Sequence, residues 1–425
     1  MSAALATHSS SPTDVRALRT QSGIEVWRVS SDFVPLIALA FTFEGGATQD
    51  PPGKAGATQM LARLLDEGAG PYDSDAFQER LASKAIEMSF QAGPDATGGS
   101  LKTLTENADE AFGLLRLALN EPRFDTDAVE RVRAQTIAGL RYQANDPGTV
   151  ATKRFYAEAF ADHPYRYPVS GTVETIASVT RDDLVALHRR LFTRRGAKVV
   201  AVGQMDDGTL LDRIDDLFRA LPDGSDLAVV PDTRIAGLGR RVVVDLDVPQ
   251  SVIRFGVAGL SWRDADFVPA YVLNHVLGGG AFTSRLFQEV REKRGLAYSV
   301  GTSLLSYRHG QLLWGYTATK NERVAECLDV IASEMERLSR EGPSDDELVK
   351  AKDYLTGSYA LGFDSSTKIA HQLAQIASED LGLDYIHRRN ALVASVTQDD
   401  IRRAASRTLA DARMLVVIAG RPNAL

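Results

Sequence analysis

Apolar residues recur along the chain at spacings of two in short runs and of three to four in longer ones. This predicts strands alternating with amphipathic helices. Ile24 to Val29 alternates as a strand, and Pro35 to Phe43 (P-L-I-A-L-A-F-T-F) reads as a longer, mostly buried one. A loop with Gly45-Gly46 and Pro51-Pro52-Gly53 follows. Gly56 to Glu67 then places Met60, Leu61, Leu64 and Leu65 on one helical face, and Gly68 stops the pattern. A second helix is predicted over Ser74 to Lys84, with strands over Ile86 to Gln91 and Ser100 to Thr105 joined by a Gly/Pro-rich turn. Helices over Ala108 to Leu119, Asp127 to Gln143 and Arg181 to Leu191 lead to a closing strand at Lys198 to Val202.

Pro222 to Gly239, rich in Asp, Gly and Pro, suits a linker. Beyond it the order of elements repeats. Ser251 to Leu260 is a strand, and Pro269 to Leu277 and Ser284 to Lys293 are helices. Leu296 to Tyr307 and Gln311 to Thr317 form a hairpin over Arg308-His309-Gly310. Two long helices, Glu322 to Arg340 and Asp345 to Leu361, follow, and Ser344 with Glu347 is spaced as a capping box for the second. Ser365-Ser366-Thr367-Lys368 matches S-x-x-K, but no S-D-N or K-T-G accompanies it, so it reads as a helix start.

The repeat is visible in residues as well as in pattern. Ala177 to Leu184 (A-S-V-T-R-D-D-L) matches Ala394 to Ile401 (A-S-V-T-Q-D-D-I) at an offset of 217. The same offset pairs Gly203, ending V-V-A-V-G, with Gly420, ending V-V-I-A-G, and pairs Asp127 with Ser344 at two helix starts. We read an α+β chain of two similar domains, each a mostly antiparallel sheet with packed helices. Their expected bounds are 13–221 and 240–425, with residues 222–239 as linker and 1–12 as a disordered N-terminus.

Composition narrows the partners. With 425 residues, 44% hydrophobic and 24% charged, the chain is an ordinary globular protein too long for one core. A net charge of -8, without a dense Lys/Arg face, argues against nucleic acid. No stretch reaches the ~20 apolar residues of a membrane span. The single cysteine, Cys327, permits neither an internal disulfide nor a thiolate zinc cluster. Met1 to Ala6 ends in an Ala-x-Ala-like pattern but has no basic or apolar signal region. The compartment stays open between cytoplasm and, for a trimmed signal, periplasm. No two of the seven histidines stand at i,i+4 spacing, and Gly278-Gly279-Gly280 lacks the further residues of a nucleotide loop.

Candidate chemistry concentrates in Leu277 to Val300, L-G-G-G-A-F-T-S-R-L-F-Q-E-V-R-E-K-R-G-L-A-Y-S-V. Arg291 on the helix and Tyr298 on the strand can meet across the turn at Gly295. A fixed fork of donors and one phenolic O–H suit a peptide carbonyl and an oxyanion. By local pattern alone the plainer reading is the stronger one: a solvated helix arginine and a half-buried strand aromatic. Gly278, Gly279 and Gly280 read equally as a helix C-cap with its turn and as a loop that lets peptide backbone approach.

This segment, together with Gly46 to Gly56 (G-x-x-x-x-P-P-G-K-A-G), resembles the M16 metallopeptidase family of the short, processing-peptidase-like type. The resemblance spans nearly the whole chain and implies two α/β-roll domains of the M16/LuxS-like fold. Active members carry H-x-x-E-H on the helix after P-P-G-K-A-G: two His that grip Zn²⁺ and a Glu that activates water. Here Gln59 and Arg63 occupy the His positions and Ala62 the Glu position. The third ligand, a Glu roughly 75 residues downstream, falls at Gly139. A carboxamide is a poor zinc ligand, a guanidinium has no free lone pair, and Ala62 and Gly139 bring no donor.

The family's Arg and Tyr, which hold the substrate carbonyl and steady the tetrahedral intermediate, stand unchanged at Arg291 and Tyr298. Arg294 is a neighbour at the wrong distance from Tyr298. The resemblance thus implies a chain inactive alone, without a cofactor of its own. It would be the substrate-binding subunit of a heterodimeric zinc endopeptidase whose partner supplies the zinc. The peptide would add to a sheet edge. The alternatives are an inert scaffold like the bc1 core proteins and a peptide-binding homodimer.

Overall fold

A computed structural model describes residues 14–31, 34–224, 226–410 and 413–423; the expected disordered segment 1–12 lies outside them. The chain forms two compact units, each around one sheet.

The first unit contains β1 (Arg16–Arg19), β2 (Glu25–Ser30), β3 (Leu36–Glu44), β4 (Glu87–Ala92), β5 (Ala96–Leu104) and β6 (Lys198–Gly203). Their order in the sheet is β1-β2-β6-β3-β5-β4, and only β2 and β6 run parallel. The second unit contains β7 (Arg241–Val244), β8 (Gln250–Ala258), β9 (Ala297–Ser306), β10 (Gln311–Lys320) and β11 (Leu415–Ala419). Its order is β7-β11-β8-β10-β9, with β7 and β11 the parallel pair. Strand for strand this is the first sheet without β1, so the repeat read at offset 217 is a repeat of topology. The helices Arg181–Leu191 and Gln398–Thr408 stand at that offset, and each begins with a reciprocal Thr/Asp capping box, Thr180 with Asp183 and Thr397 with Asp400.

One face of each sheet carries the main core. In the first unit Phe41, Phe43, Phe192 and Phe218 pack ring against ring, with centroids 4.9 to 6.3 Å apart. In the second, Ile253, Phe255, Val257, Leu313, Val416 and Ile418 meet Val272, Leu273, Leu328, Ile331 and Ile401. The opposite faces are covered by two helices that the periodicity reading passed over. Pro147–Ala159 lays Phe155 on Leu312, Leu415 and Val417 of the second sheet. Ser366–Ser378 packs on β3 and β6 of the first.

Each helix therefore belongs to the sheet of the other half of the sequence. The first unit comprises residues up to Ala138, Val169–Ala228 and Ala360–Arg388; the second comprises Gly139–Pro168, Val229–Tyr359 and the residues from Arg389. The compact units thus differ from the halves 13–221 and 240–425, because a sheet with apolar residues on both faces recruits cover wherever the chain supplies it. Residues 222–239 form no helix or strand where described, but they are pinned. The Gln49 amide accepts from Ala228 N (2.8 Å) and donates to Ala228 O (3.1 Å).

Other differences are local. The Gly56 to Glu67 helix is regular only over Ala57–Ala62, then tightens into turns with Leu64 N bonding Leu61 O at 3.0 Å. β5 begins four residues before the predicted strand because Gly98 and Gly99 belong to it. A Cβ on Gly98 would stand 2.3 Å from the Phe41 carbonyl, so the glycine marks a close strand approach rather than a turn. The predicted capping box and helix start both form. Glu347 N donates to Ser344 Oγ at 3.2 Å, Ser344 N donates to Glu347 Oε2 at 2.8 Å, and Ser365 caps Lys368 N. Among the described residues no helix is long and apolar enough to cross a membrane.

Arg28 on β2 is 1% exposed and ties the parallel pair together. Its Nη2 donates to Gly203 O and Met205 O at 2.8 Å each, Nη1 donates to Val29 O, and Nε lies 3.3 Å from Asp207. Arg28→Met would remove these donors at once, although Gly203 O keeps the bond from Ser31 N at 3.1 Å. It is expected to lower unfolding stability by about 3 kcal/mol. Urea titration followed by circular dichroism measures the loss; an unchanged midpoint would refute the clamp.

Candidate functional site

The site of the second unit is built by a turn that glycine makes possible. Helix Phe267–Asn274 widens into a π-helical turn over His275–Gly279, closed by Gly280 N donating to His275 O at 2.8 Å. Gly278 is buried on β9: a Cβ there would stand 2.8 Å from Thr302 N. Gly279 closes on Asn274, whose Nδ2 would lie 2.6 Å from an added Cβ. This corrects the reading of an open glycine loop. Gly278 lacks a side chain because β9 needs the space, and Gly279 and Gly280 alone keep some exposure. The chain then reverses at Ala281, held at a φ of 44°, and turns Phe282 outward, 68% exposed.

The next segment is anchored by Arg285. Its Nε and Nη2 grip both Glu347 oxygens at 2.7 Å, and Nη2 also reaches Gly342 O at 3.2 Å. Burial alone would raise the Glu347 carboxyl, but the bonds from Arg285 and Ser344 outweigh it and bring the pKa down to about 2. The chain then makes a second π-helical turn, Phe287–Glu292, where Lys293 N donates to Gln288 O at 2.9 Å.

This turn and β9 bring Arg291 and Tyr298 together, as predicted. The Arg291 guanidinium carbon lies 4.7 Å from the centre of the Phe287 ring and 4.6 Å from that of Tyr298. Tyr298 is 81% exposed, so the phenol and one ring face meet solvent. The nearest carboxylate, on Glu292, stays 3.6 Å from Arg291 Nε. Arg294 is spoken for: its Nη1 bonds the Glu289 carboxylate and Glu289 O, and Lys293 Nζ reaches the same carboxylate at 2.6 Å. The sequence reading therefore named the arginine that meets Tyr298 but missed Phe287, Glu289 and the Arg285–Glu347 clasp. Only the last left a signal, the capping-box Glu347.

The first unit holds three of the four positions of the degenerate metal motif, and the fourth, Gly139, is the first residue of the second unit. Asp50 organises the start of their helix, accepting from Gly56 N (2.7 Å), Thr58 N (2.8 Å) and Thr58 Oγ1 (2.6 Å). Burial outweighs these bonds and raises its pKa to about 6. Gln59 is half-buried, Ala62 buried and Arg63 exposed. Arg63 Nη1 donates to Thr136 Oγ1 at 3.3 Å, and that hydroxyl donates to Val132 O at 2.8 Å. Gly139, one turn beyond Thr136 on helix Thr126–Gln143, is exposed with open space where a side chain would start.

A carboxamide, a methyl, a guanidinium and a hydrogen do not fit a zinc ion. Among the described residues no group of three His, Cys, Asp or Glu stands together to hold a metal.

Residues 28–173 match the family described as Insulinase (Peptidase family M16), and residues 178–355 match Peptidase M16 inactive domain. The chain is similar to an uncharacterized zinc protease of Mycobacterium bovis, 30% identical over 356 residues covering 82% of this chain and 81% of that protein. It is also similar to the non-peptidase homolog YmxG of Helicobacter pylori, 27% identical over 343 residues, 80% of this chain and 79% of that one. Its fold is similar to a crystal structure of a peptidase M16 inactive domain from Pseudomonas fluorescens. The TM-score is 0.88 at 24% identity, over 97% of this chain and 98% of that one.

Two measurements check the first-unit site. Elemental analysis of the purified chain is expected to give zinc far below one equivalent, and near-equimolar metal would overturn the reading of Gln59 and Arg63. The second concerns Asp66, just past that helix, which burial raises to a pKa of about 6. A raised folded pKa adds stability that is complete below the ordinary 3.8 and lost as pH rises through about 6. Asp66→Asn should therefore stabilise the chain at pH 8 and give no gain near pH 3. Thermal melts at the two pH values test this, and an equal effect at both would refute it.

Proposed function

The chain belongs to the M16 peptidase family, and on that premise we propose that it is a non-catalytic, peptide-holding subunit working in a heterodimer with a zinc-bearing M16 chain. One observation carries the reading. Arg291 stands over two aromatic rings, beside an exposed phenol, and among the described residues its nearest carboxylate is Glu292 at 3.6 Å. Arginines elsewhere in this unit, such as Arg285 and Arg294, are instead hydrogen-bonded to carboxylates.

In this reading the partner contributes metal and general base. Arg291 turns its free N–H groups to a peptide carbonyl and fixes its orientation. Tyr298 donates its O–H to the oxygen on which negative charge grows during cleavage, so its bond strengthens as the barrier is climbed. Neither residue needs to change protonation state.

Mixing this chain with its zinc-bearing partner should yield peptidase activity that neither chain shows alone. In the mixture, Tyr298→Phe should lower kcat by about 10²-fold, as loss of one oxyanion donor does. An unchanged kcat would remove Tyr298 from the chemistry and leave the scaffold reading in its place.

A further inference from the structure

The changes at residues 59 and 63 do more than abolish a cation site: we infer that they turn it into a binding site for a carboxylate. The first argument is unsatisfied donors. A guanidinium has five N–H donors, and Arg63 uses one, on Thr136 Oγ1 at 3.3 Å. The Thr136 hydroxyl gives its own proton to Val132 O at 2.8 Å, so a lone pair faces Arg63 and anchors one corner of the fork. Gln59, one turn earlier, makes no side-chain hydrogen bond among the described residues. Side chains at i and i+4 lie about 5–6 Å apart at Cβ on one helix face. A carboxylate gripped in bidentate fashion by Arg63 would lie within reach of the Gln59 amide N–H₂.

The second argument is charge. Among the described residues no carboxylate stands within ion-pair distance of Arg63, and nearby acids are committed elsewhere. Glu67 takes Arg131 Nη2 and Ser74 Oγ, both at 2.6 Å. Glu130 takes Arg133 Nε at 3.2 Å. Asp66 is half-buried, and among the described residues no ion pair joins it to Arg63. An exposed guanidinium therefore stands unneutralised where a metallopeptidase would need net negative or neutral ligands.

The third argument is place. Helix Ala57–Ala62 packs beside β4, which pairs only with β5 and is the outer strand of its sheet. An extended peptide can lie along such an edge, so the carboxylate would come from a peptide, as its α-carboxylate or as an Asp or Glu side chain. The site lies within the first unit and does not rest on the role given to Arg291 and Tyr298.

Arg63 is exposed and open to phenylglyoxal, which modifies arginines; peptide mass spectrometry follows its rate at this residue in the full chain. Acetyl-alanine tests an α-carboxylate, acetyl-glutamate α-amide tests an acidic side chain, and acetyl-alaninamide is the neutral control. We expect one or both carboxylates to slow modification of Arg63 severalfold and the control to have no effect. The faster-protecting arm names the source. Gln59→Ala should weaken the protection, and EDTA should leave it unchanged. Modification unaffected by either carboxylate, slowed equally by the neutral amide, or protected only until EDTA is added would each overturn the inference. The assay needs no partner chain, so it can fail while the heterodimer reading stands, and the reverse.

Discussion

An arginine held by aromatic rings behaves differently from one held by a carboxylate. The Arg291 guanidinium carbon stands over the rings of Phe287 and Tyr298, 4.7 and 4.6 Å from their centres. Attraction to a ring uses none of the N–H donors, whereas a bidentate carboxylate uses two. Each contact at such a partly exposed place is worth about 0.5–1 kcal/mol, and fixing an arginine side chain costs about 2 kcal/mol of rotamer entropy. The two ring contacts offset a large share of that cost in advance and leave the donors unspent. A carboxylate partner would have fixed the side chain equally well and consumed them. Much of the surrounding architecture serves this geometry. The π-helical turn Phe287–Glu292 aims Arg291, the Arg285–Glu347 clasp holds the start of that turn, and the buried Gly278 lets the preceding turn lie on β9.

The two units share a topology and differ in chemistry. Their sheets follow the same strand order, with the parallel pair in the same place. In the first unit the helix near the outer strand β4 carries an amide and a guanidinium at residues 59 and 63, and among the described residues no three His, Cys, Asp or Glu stand together. In the second, the buried Glu289 and the half-buried Glu347 hold the arginines that flank Arg291, while Arg291 itself has only the looser contact with Glu292 at 3.6 Å.

Sequence periodicity carried most of this fold. Both sheets' long strands, the capping box at Ser344, the repeat that carries Thr180 and Thr397, and the meeting of Arg291 with Tyr298 were legible because each depends on residues close in sequence or on the repeat. What escaped did so for physical reasons. Pro147–Ala159 begins D-P-G-T, which reads as a turn, although Asp146 caps Thr149 N and the proline occupies the first helical turn. Gly98 and Gly99 looked like turn residues because only the cross-strand distance to Phe41 shows why a strand would need them. The π-helical turns have no sequence period of their own, so Gly278 read as a loop.

The exchange of covering helices is the deepest of these omissions, because no local pattern encodes it. Leu312, Leu415 and Val417 present an apolar face that Phe155 covers, and Phe155 lies over 80 residues before the linker ends. The face of β3 and β6 opposite the phenylalanine core is covered by a helix from residues 366–378. Burial stabilises by about 25 cal/mol per Å² of apolar surface, and a sheet face left bare forfeits that over several large side chains at once. Each sheet is therefore complete only with a segment from the other half of the chain. The repeat describes how the strands are ordered; the unit that folds is set by which surfaces must be hidden from water, and here those two partitions of the chain differ.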